Sequence, residues 1–260
     1  MTERPLAGRH GIVTGGARGI GAAVSARLAA AGMTLTIMGR NADALAGHAR
    51  DLMDEYAVEV QCVRCDVADE TSIRGAFAEA RERYPRPWAL VNNAGEAGGA
   101  GVVEMRRELW DRLIAVNLTG TMLCMQQVLE PMLAAGEGRI VNVASTAALR
   151  GYAGVAAYCA SKHGVLGLTR AAAAEVAGRG ITVNAVCPGY VEDTAMIRQA
   201  MEAVMARGKT EAEARKLLLR GKPLGRFVTS GEVANTVAWL LSPGASAMTG
   251  QAVAVAGGEI

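Results

Sequence analysis

Thr14-Gly15-Gly16-Ala17-Arg18-Gly19-Ile20-Gly21 is the stretch that decides the fold. Residues 10–14 read as a short strand ending in it, and an Ala-rich helix runs on from it to about Gly32. Glycines between a strand and a helix let the backbone turn sharply and approach a pyrophosphate, whose charge the helix N-terminus favours. The spacing Gly15-x-x-x-Gly19-x-Gly21 departs from the commoner G-x-G-x-x-G, and a glycine run alone is equally a tight turn. Its position between a strand and an amphipathic helix is what makes it a candidate nucleotide site.

Outward from that stretch, strand and helix patterns alternate along the chain. Strands are expected over 34–38, 58–65, 89–92, 139–143, 181–186 and 252–255. Helices are expected over 42–56, 71–84, 109–135, 154–177 and 230–241. Strands separated by helices of this length make βαβ units, hence a parallel sheet covered on both faces. The fold class is therefore α/β, a single Rossmann-type doubly wound parallel sheet with helices on both faces. With no tandem repeat, linker or second hydrophobic core, residues 1–260 are expected to form one dinucleotide-binding and catalytic domain. Segment 188–229 breaks the rhythm: it is helical in composition but weakly patterned, which suggests a helical substrate lid at about 190–228.

The formal net charge is +2 and the basic residues are spread along the chain, so neither a nucleic-acid footprint nor a membrane-surface patch is expected. No apolar run approaches the roughly 20 residues of a membrane helix. Met1-Thr2-Glu3-Arg4-Pro5 is polar and leads into a strand rather than an apolar signal core, so a cytoplasmic protein is expected. Five cysteines, an odd number, argue against a disulfide framework in a chain of 260 residues. Cys62 and Cys65 have metal-like spacing, but they sit in a strand pattern and lack a second Cys or His pair to complete a tetrahedral site. His10, His48 and His163 are scattered as surface or packing residues, so no metal is expected.

Tyr158-Cys159-Ala160-Ser161-Lys162 falls in the helix expected over 154–177, where positions four apart share a face. A phenol that exchanges protons near neutral pH starts from a pKa of about 10, and a neighbouring ammonium stabilises its phenolate. Lys162 is therefore expected to draw Tyr158 downward, although such a pair is common on amphipathic helices. Ser145 follows the fifth strand, where open α/β sheets place ligands, and its hydroxyl suits a substrate carbonyl or a helix cap. The second strand ends Ile37-Met38-Gly39-Arg40-Asn41, with no carboxylate before Asp43. An NAD site usually carries an acid there for the ribose 2′-OH, whereas a guanidinium suits the 2′-phosphate of NADP. Arg40, with Arg18 in the glycine loop, thus favours NADP (as NADPH) over NAD, and a solvated helix-start residue is the plainer reading of Arg40.

Together, Thr14-Gly15-x-x-x-Gly19-x-Gly21, Asn92-Asn93-Ala94-Gly95, Asn117, Ser145, Tyr158-x-x-x-Lys162 and Pro188-Gly189 resemble the short-chain dehydrogenase/reductase family over nearly the whole chain. The resemblance implies a carbonyl reductase or alcohol dehydrogenase. It makes Tyr158 the general acid of reduction and the base of oxidation, and Lys162 the holder of the nicotinamide ribose hydroxyls. It gives Ser145 the orienting of the substrate oxygen, and Asn117 the fixing of a water that links Lys162 to solvent. Read alone, Asn117 is a polar kink in a long helix. Gly15, Arg18, Gly19, Ile20, Gly21, Asn93, Gly95, Pro188, Gly189 and Val191, with Tyr158 and Lys162 themselves, would bind the cofactor. Asp66-Val67 looks like the pair that meets the adenine, with a helix cap before Thr71 as the alternative for Asp66. Family members commonly carry a Thr or Ser soon after the Pro-Gly to contact the carboxamide. Here Tyr190-Val191-Glu192-Asp193 precede Thr194, one residue too many, so either the loop bulges or Thr194 is displaced.

Within that family, Ser161-Lys162-His163-Gly164-Val165 and Asn184-Ala185-Val186-Cys187-Pro188-Gly189 look like acyl- and polyketide-reducing members. Met196, Ile197, Met201, Val204, Met205, Leu217, Leu218 and Leu219 give the lid flexible apolar surface. Arg198, Arg207, Lys209, Arg215, Lys216, Arg220 and Lys222 outnumber Glu202, Glu211 and Glu213 there. A positive pocket mouth would attract the phosphates of a coenzyme A or carrier-protein arm, so a 3-oxoacyl thioester is one expected substrate and a bulky or cyclic ketone another. The outer face of an amphipathic lid accounts for the same charges. Competing readings are an isomerase, lyase or epimerase on this fold, an NAD-dependent dehydrogenase of a cyclic or aromatic alcohol, and a nonenzymatic NADP-binding regulatory protein. A homo-oligomer, specifically a homotetramer, is implied by the resemblance alone.

Overall fold

The computed structural model describes residues 4–260; Met1, Thr2 and Glu3, part of the polar start read above, lie outside the described residues. The strands are β1 (His10–Thr14), β2 (Thr34–Gly39), β3 (Val60–Arg64), β4 (Ala89–Asn92), β5 (Gly138–Val143), β6 (Ile181–Pro188) and β7 (Ala252–Val255). They form one sheet in the order β3-β2-β1-β4-β5-β6-β7, with each neighbouring pair parallel. The order reverses between β1 and β4, which opens a crevice at the carboxyl ends of the strands, where such sheets hold their ligands.

Side chains alternate across the sheet, and so do the two cores. Val13, Leu35, Ile37 and Val141 face α1 (Gly19–Ala30), α2 (Ala42–Tyr56) and α9 (Ser230–Leu241) through Val24, Leu28, Leu45, Val233 and Val237. Ile12, Met38, Leu90, Ile140 and Val183 face the other way. They meet Ile73 and Phe77 of α3 (Glu70–Arg83), Cys124 and Val128 of α5 (Gly120–Ala135), and Ala172 and Val176 of α6 (Ala156–Val176). His10 is a packing residue, buried with its ring stacked on Tyr84 at 4.5 Å.

The single helix expected over 109–135 is instead α4 (Arg107–Ile114) and α5, joined through one π-helical turn at Ala115–Thr119. The lid is two helices, α7 (Ala195–Met205) and α8 (Glu211–Leu218). Gly208, at φ +82°, separates them, and Thr210 and Glu213 restart the chain as a reciprocal capping box.

Candidate active site

The glycine turn is shaped by steric necessity. Gly15 and Gly19 sit at φ +64° and +51°, in the left-handed region that a side chain disfavours. A Cβ on Gly21 would run into the Gly15 carbonyl and the Asn93 amide. Thr14 and Asn93 hold the turn against β4: the Asn93 and Ala94 N–H groups each donate to Thr14 Oγ1 at 3.0 Å, and the Asn93 amide donates to the carbonyls of Thr14 (3.0 Å) and Gly15 (3.2 Å). At the entry to α1, Arg18 makes no side-chain cap and the first turn carries no acid. The leading N–H groups and the positive end of the helix dipole are thus left for an anion.

A cavity of about 430 Å³ runs from this turn past Arg18, Arg40, Asn41, Asp66 and Val67. A second, of about 390 Å³, is lined by Gly19, Ile20, Ser145, Tyr158, Lys162, Pro188, Gly189, Val191 and Thr194. The two share Arg18, Asn93, Gly95, Glu96 and Ala195, so they form one cleft. Of the expected site residues, only Gly21 and Asn117 do not line it: Gly21 packs beneath the turn and Asn117 stands behind the wall. Asp66 is not the cap of α3. That role falls to Asp69, which accepts from the Thr71 N–H at 2.8 Å, while Asp66 accepts from Ala68 N–H and faces the cleft.

The extra residue before Thr194 is absorbed in a turn held by a bridge to the segment before α9. Glu192 N–H donates to the Val228 carbonyl, and Val228 N–H to the Tyr190 carbonyl. Thr194 caps α7, with its methyl within van der Waals reach of a Cβ placed on Gly19, so it flanks the glycine turn. Ser145 is both a cap and a cleft residue. Its hydroxyl accepts from Ala147 N–H at 3.1 Å and also faces the Tyr158 phenol.

Tyr158 and Lys162 stand one turn apart on α6, the ammonium 5.8 Å from the centre of the phenol ring. Lys162 is buried and donates to the Val143 carbonyl at 2.9 Å. Two polar ties fix α6 in place. The Asn92 amide donates to Asn142, which donates to Thr169 of α6, both at 2.9 Å, across β4 and β5. From the π-helical turn, the Asn117 amide donates to the Glu96 carbonyl (2.9 Å) and Ser161 (3.1 Å), and its oxygen accepts from Glu96 N–H (2.8 Å). The polar kink in the long helix is thus a π-turn that clamps the Asn93-to-Glu96 loop to α6.

Burial overturns the expected direction for the phenol. Dehydration of the anion pushes Tyr158 up to about 12, with the Ser145 hydroxyl pulling the other way, and dehydration of the cation brings Lys162 down to about 8. At neutral pH the phenol holds its proton and the ammonium keeps its charge.

The lid contributes less apolar surface than its composition implies. Met196 lines the cleft and packs beside Tyr158, and Ile197 is buried, but Met205 and Leu217 face solvent. Among the described residues, Lys209, Arg215 and Lys222 are paired with Glu213, Glu192 and Glu259, while Arg198 lines the cleft. Glu96 was missed by sequence reasoning. It borders both halves of the cleft and is held by Arg112 at 2.7 Å, and only its place directly after Asn92-Asn93-Ala94-Gly95 pointed to it. Among the described residues no cluster of His, Cys, Asp or Glu is arranged to hold a metal ion, and no helix is long and apolar enough to cross a membrane.

The family model for short chain dehydrogenase matches residues 9–204, which takes in the glycine turn, Asn117, Ser145, Tyr158 and Lys162. The chain belongs to the short-chain dehydrogenase family. As a member it is an oxidoreductase, and its relatives include ketoacyl reductases. It is 43% identical to the granaticin polyketide synthase putative ketoacyl reductase 1 of Streptomyces violaceoruber, over 95% of this chain and 91% of that one. It is 36% identical to the 3-oxoacyl acyl-carrier-protein reductase of Aquifex aeolicus, over 98% and 99%. A crystal structure of an actinorhodin polyketide ketoreductase with NADPH superposes with a TM-score of 0.92 at 40% identity, covering 100% of this short-chain dehydrogenase and 99% of that chain.

Proposed function

We propose that this oxidoreductase uses NADPH to reduce the ketone of a 3-oxoacyl or polyketide-like thioester to the secondary alcohol. The observation that carries the reading is the unbroken cleft from Arg40 at one end to Ser145 and Tyr158 at the other. At its first end β2 is followed by Arg40 and Asn41, with Arg18 opposite, so two guanidinium groups meet whatever the ribose carries there. Asp66 and Val67 would flank the adenine. The N-terminus of α1 would take the pyrophosphate, Lys162 the nicotinamide ribose, and Pro188, Gly189, Val191 and Thr194 the nicotinamide side. The likeness to a ketoreductase that holds NADPH supports this choice.

The cofactor, when bound, supplies a hydride to the carbonyl carbon. Tyr158 gives its phenolic proton to the oxygen that becomes negative, and Ser145 hydrogen-bonds that oxygen and orients it. A buried phenol at about 12 is loaded with the proton that reduction consumes. Lys162 keeps a positive charge beside the phenolate left behind. Asn117, whose side chain is clamped to Glu96 and Ser161, would hold the water of a proton path.

Two tests follow. NADPH is expected to exceed NADH in kcat/KM, and Arg40→Asp to lower the NADPH value about 10- to 100-fold, since a carboxylate there repels a phosphate. Equal efficiency with both cofactors in the unmodified enzyme would refute the NADPH assignment. Acetoacetyl-coenzyme A is expected to exceed simple ketones of similar reactivity in kcat/KM, and to lose the advantage as salt screens Arg198 and the lid cations. No advantage, and no salt-sensitive part, would return the substrate to a small or cyclic ketone.

A further inference from the structure

The last residues of the chain fold back under the lid. Val255 accepts from Gly189 N–H at 3.0 Å, and the Gly257 carbonyl accepts from Leu224 N–H at 3.0 Å. Gly257 and Gly258 both have positive φ, and a Cβ on either would press on Leu224 or Pro223, so the tail passes the lid's end at closest approach. This route delivers Glu259 into the protein. Its carboxylate, 6% exposed, pairs with Lys222, 10% exposed, and accepts from the Tyr152 hydroxyl at 2.7 Å. Lys222 also lies 4.6 Å over the Tyr190 ring, and the Tyr152 hydroxyl is 2.9 Å from Thr146 Oγ1.

These partners come from parts of the chain that border the ketone end of the cleft. Tyr152 packs in one apolar cluster with Ala147, Tyr158 and Met196. Gly189, which lines the cleft, leaves no more than van der Waals room beside Glu259. Lys222 closes the lid after α8. We propose that Glu259 is a positioning residue for the ketone: its carboxylate clasps Lys222 of the lid to Tyr152 of the loop before α6, and so fixes how far the lid stands from Tyr158. A buried pair is strongly disrupted when one partner is lost, because the other is left as an uncompensated charge. By contrast, the exposed Arg215–Glu192 pair adds little to holding the lid. The ketone part of this inference rests on the reading of the cleft given above.

The test uses the enzyme of residues 1–260 and three variants: Glu259→Gln, Lys222→Met, and the exchange Glu259→Lys with Lys222→Glu. Tryptic cleavage after Arg207 and Lys209, between the lid helices, is expected to speed up about 100-fold in each single variant and to return toward the parent rate in the exchange. The KM for a cyclic ketone is expected to rise about 10-fold in the single variants, with kcat and the KM for NADPH within about threefold of the parent, because substrate positioning is lost and the chemistry is not. Unchanged cleavage and KM in Glu259→Gln would overturn the clasp. So would a uniform fall in all parameters, or an exchange no better than the single variants. If the parent reduces no ketone, the functional reading fails, and the cleavage rates alone decide the clasp.

Discussion

Tyr158→Phe is expected to lower kcat for ketone reduction by about 1,000-fold, the middle to upper part of the range for a positioned general acid. The ring stays in its cluster with Leu113, Ala147 and Ala157, so the fold and the cofactor cleft are retained. What disappears is one hydroxyl. Without it the oxygen gaining charge has Ser145 as a hydrogen-bond donor but no proton source. Affinity for NADPH, read by fluorescence titration, is expected to stay within about threefold, since the phenol is not the group that holds the ribose. The stability cost is small, since the Ser145 hydroxyl that the phenol faces keeps its contact with Ala147 N–H. A Phe variant with near-parental kcat at pH 7 would remove Tyr158 from the chemistry.

The parts of this site that are legible in sequence are those carried by short-range pattern. The glycine turn, the Tyr158–Lys162 spacing and the position of Ser145 after β5 each depend on residues close in the chain, and the alternating apolar runs place them at one end of the sheet. Helix α2 and helix α9 match their expected limits because both have end signals in the sequence: Asn41 caps one, and Thr229 with Glu232 boxes the other. The same signal at Thr210 and Glu213 was there to divide the lid, and weak apolar patterning hid it. The π-turn at Ala115–Thr119 shows in the sequence only as the polar residue Asn117, since one wider turn changes no residue type around it. The Tyr152–Glu259 contact spans 107 residues and belongs to no local motif. The direction of the Tyr158 shift lies beyond the local sequence for a related reason. The neighbouring charge is visible at four residues' distance, but the burial that outweighs it is a property of the whole packed cluster.

Lys162→Met is expected to abolish most turnover while making the folded protein more stable at neutral pH. Burial holds Lys162 at about 8 instead of 10.5. At 1.36 kcal/mol for each pKa step, keeping this ammonium charged inside the fold costs about 3 kcal/mol at pH 7. Met fills similar space without the charge but leaves the buried Val143 carbonyl without this donor, at about 1–3 kcal/mol, so a net gain of about 1 kcal/mol is expected in urea unfolding at pH 7. The pH dependence separates the two contributions. Because the folded-state pKa lies below the unfolded one, the unfolded chain holds more protons between about pH 8 and 10.5, and the parent gains stability as pH rises through that window. The parent-minus-variant difference should therefore climb by about 3 kcal/mol from pH 7 to above 10, moving from favouring Met to favouring Lys. Activity should follow the charge in the opposite sense. The parent's kcat/KM for reduction is expected to hold below about pH 8 and fall above it as Lys162 loses its proton, and the Met variant should lack that limb at a level about 100- to 1,000-fold lower. A parent-minus-variant stability difference that stays flat from pH 7 to above 10 would mean that Lys162 is not held charged against its burial, and the alkaline limb would then need another group.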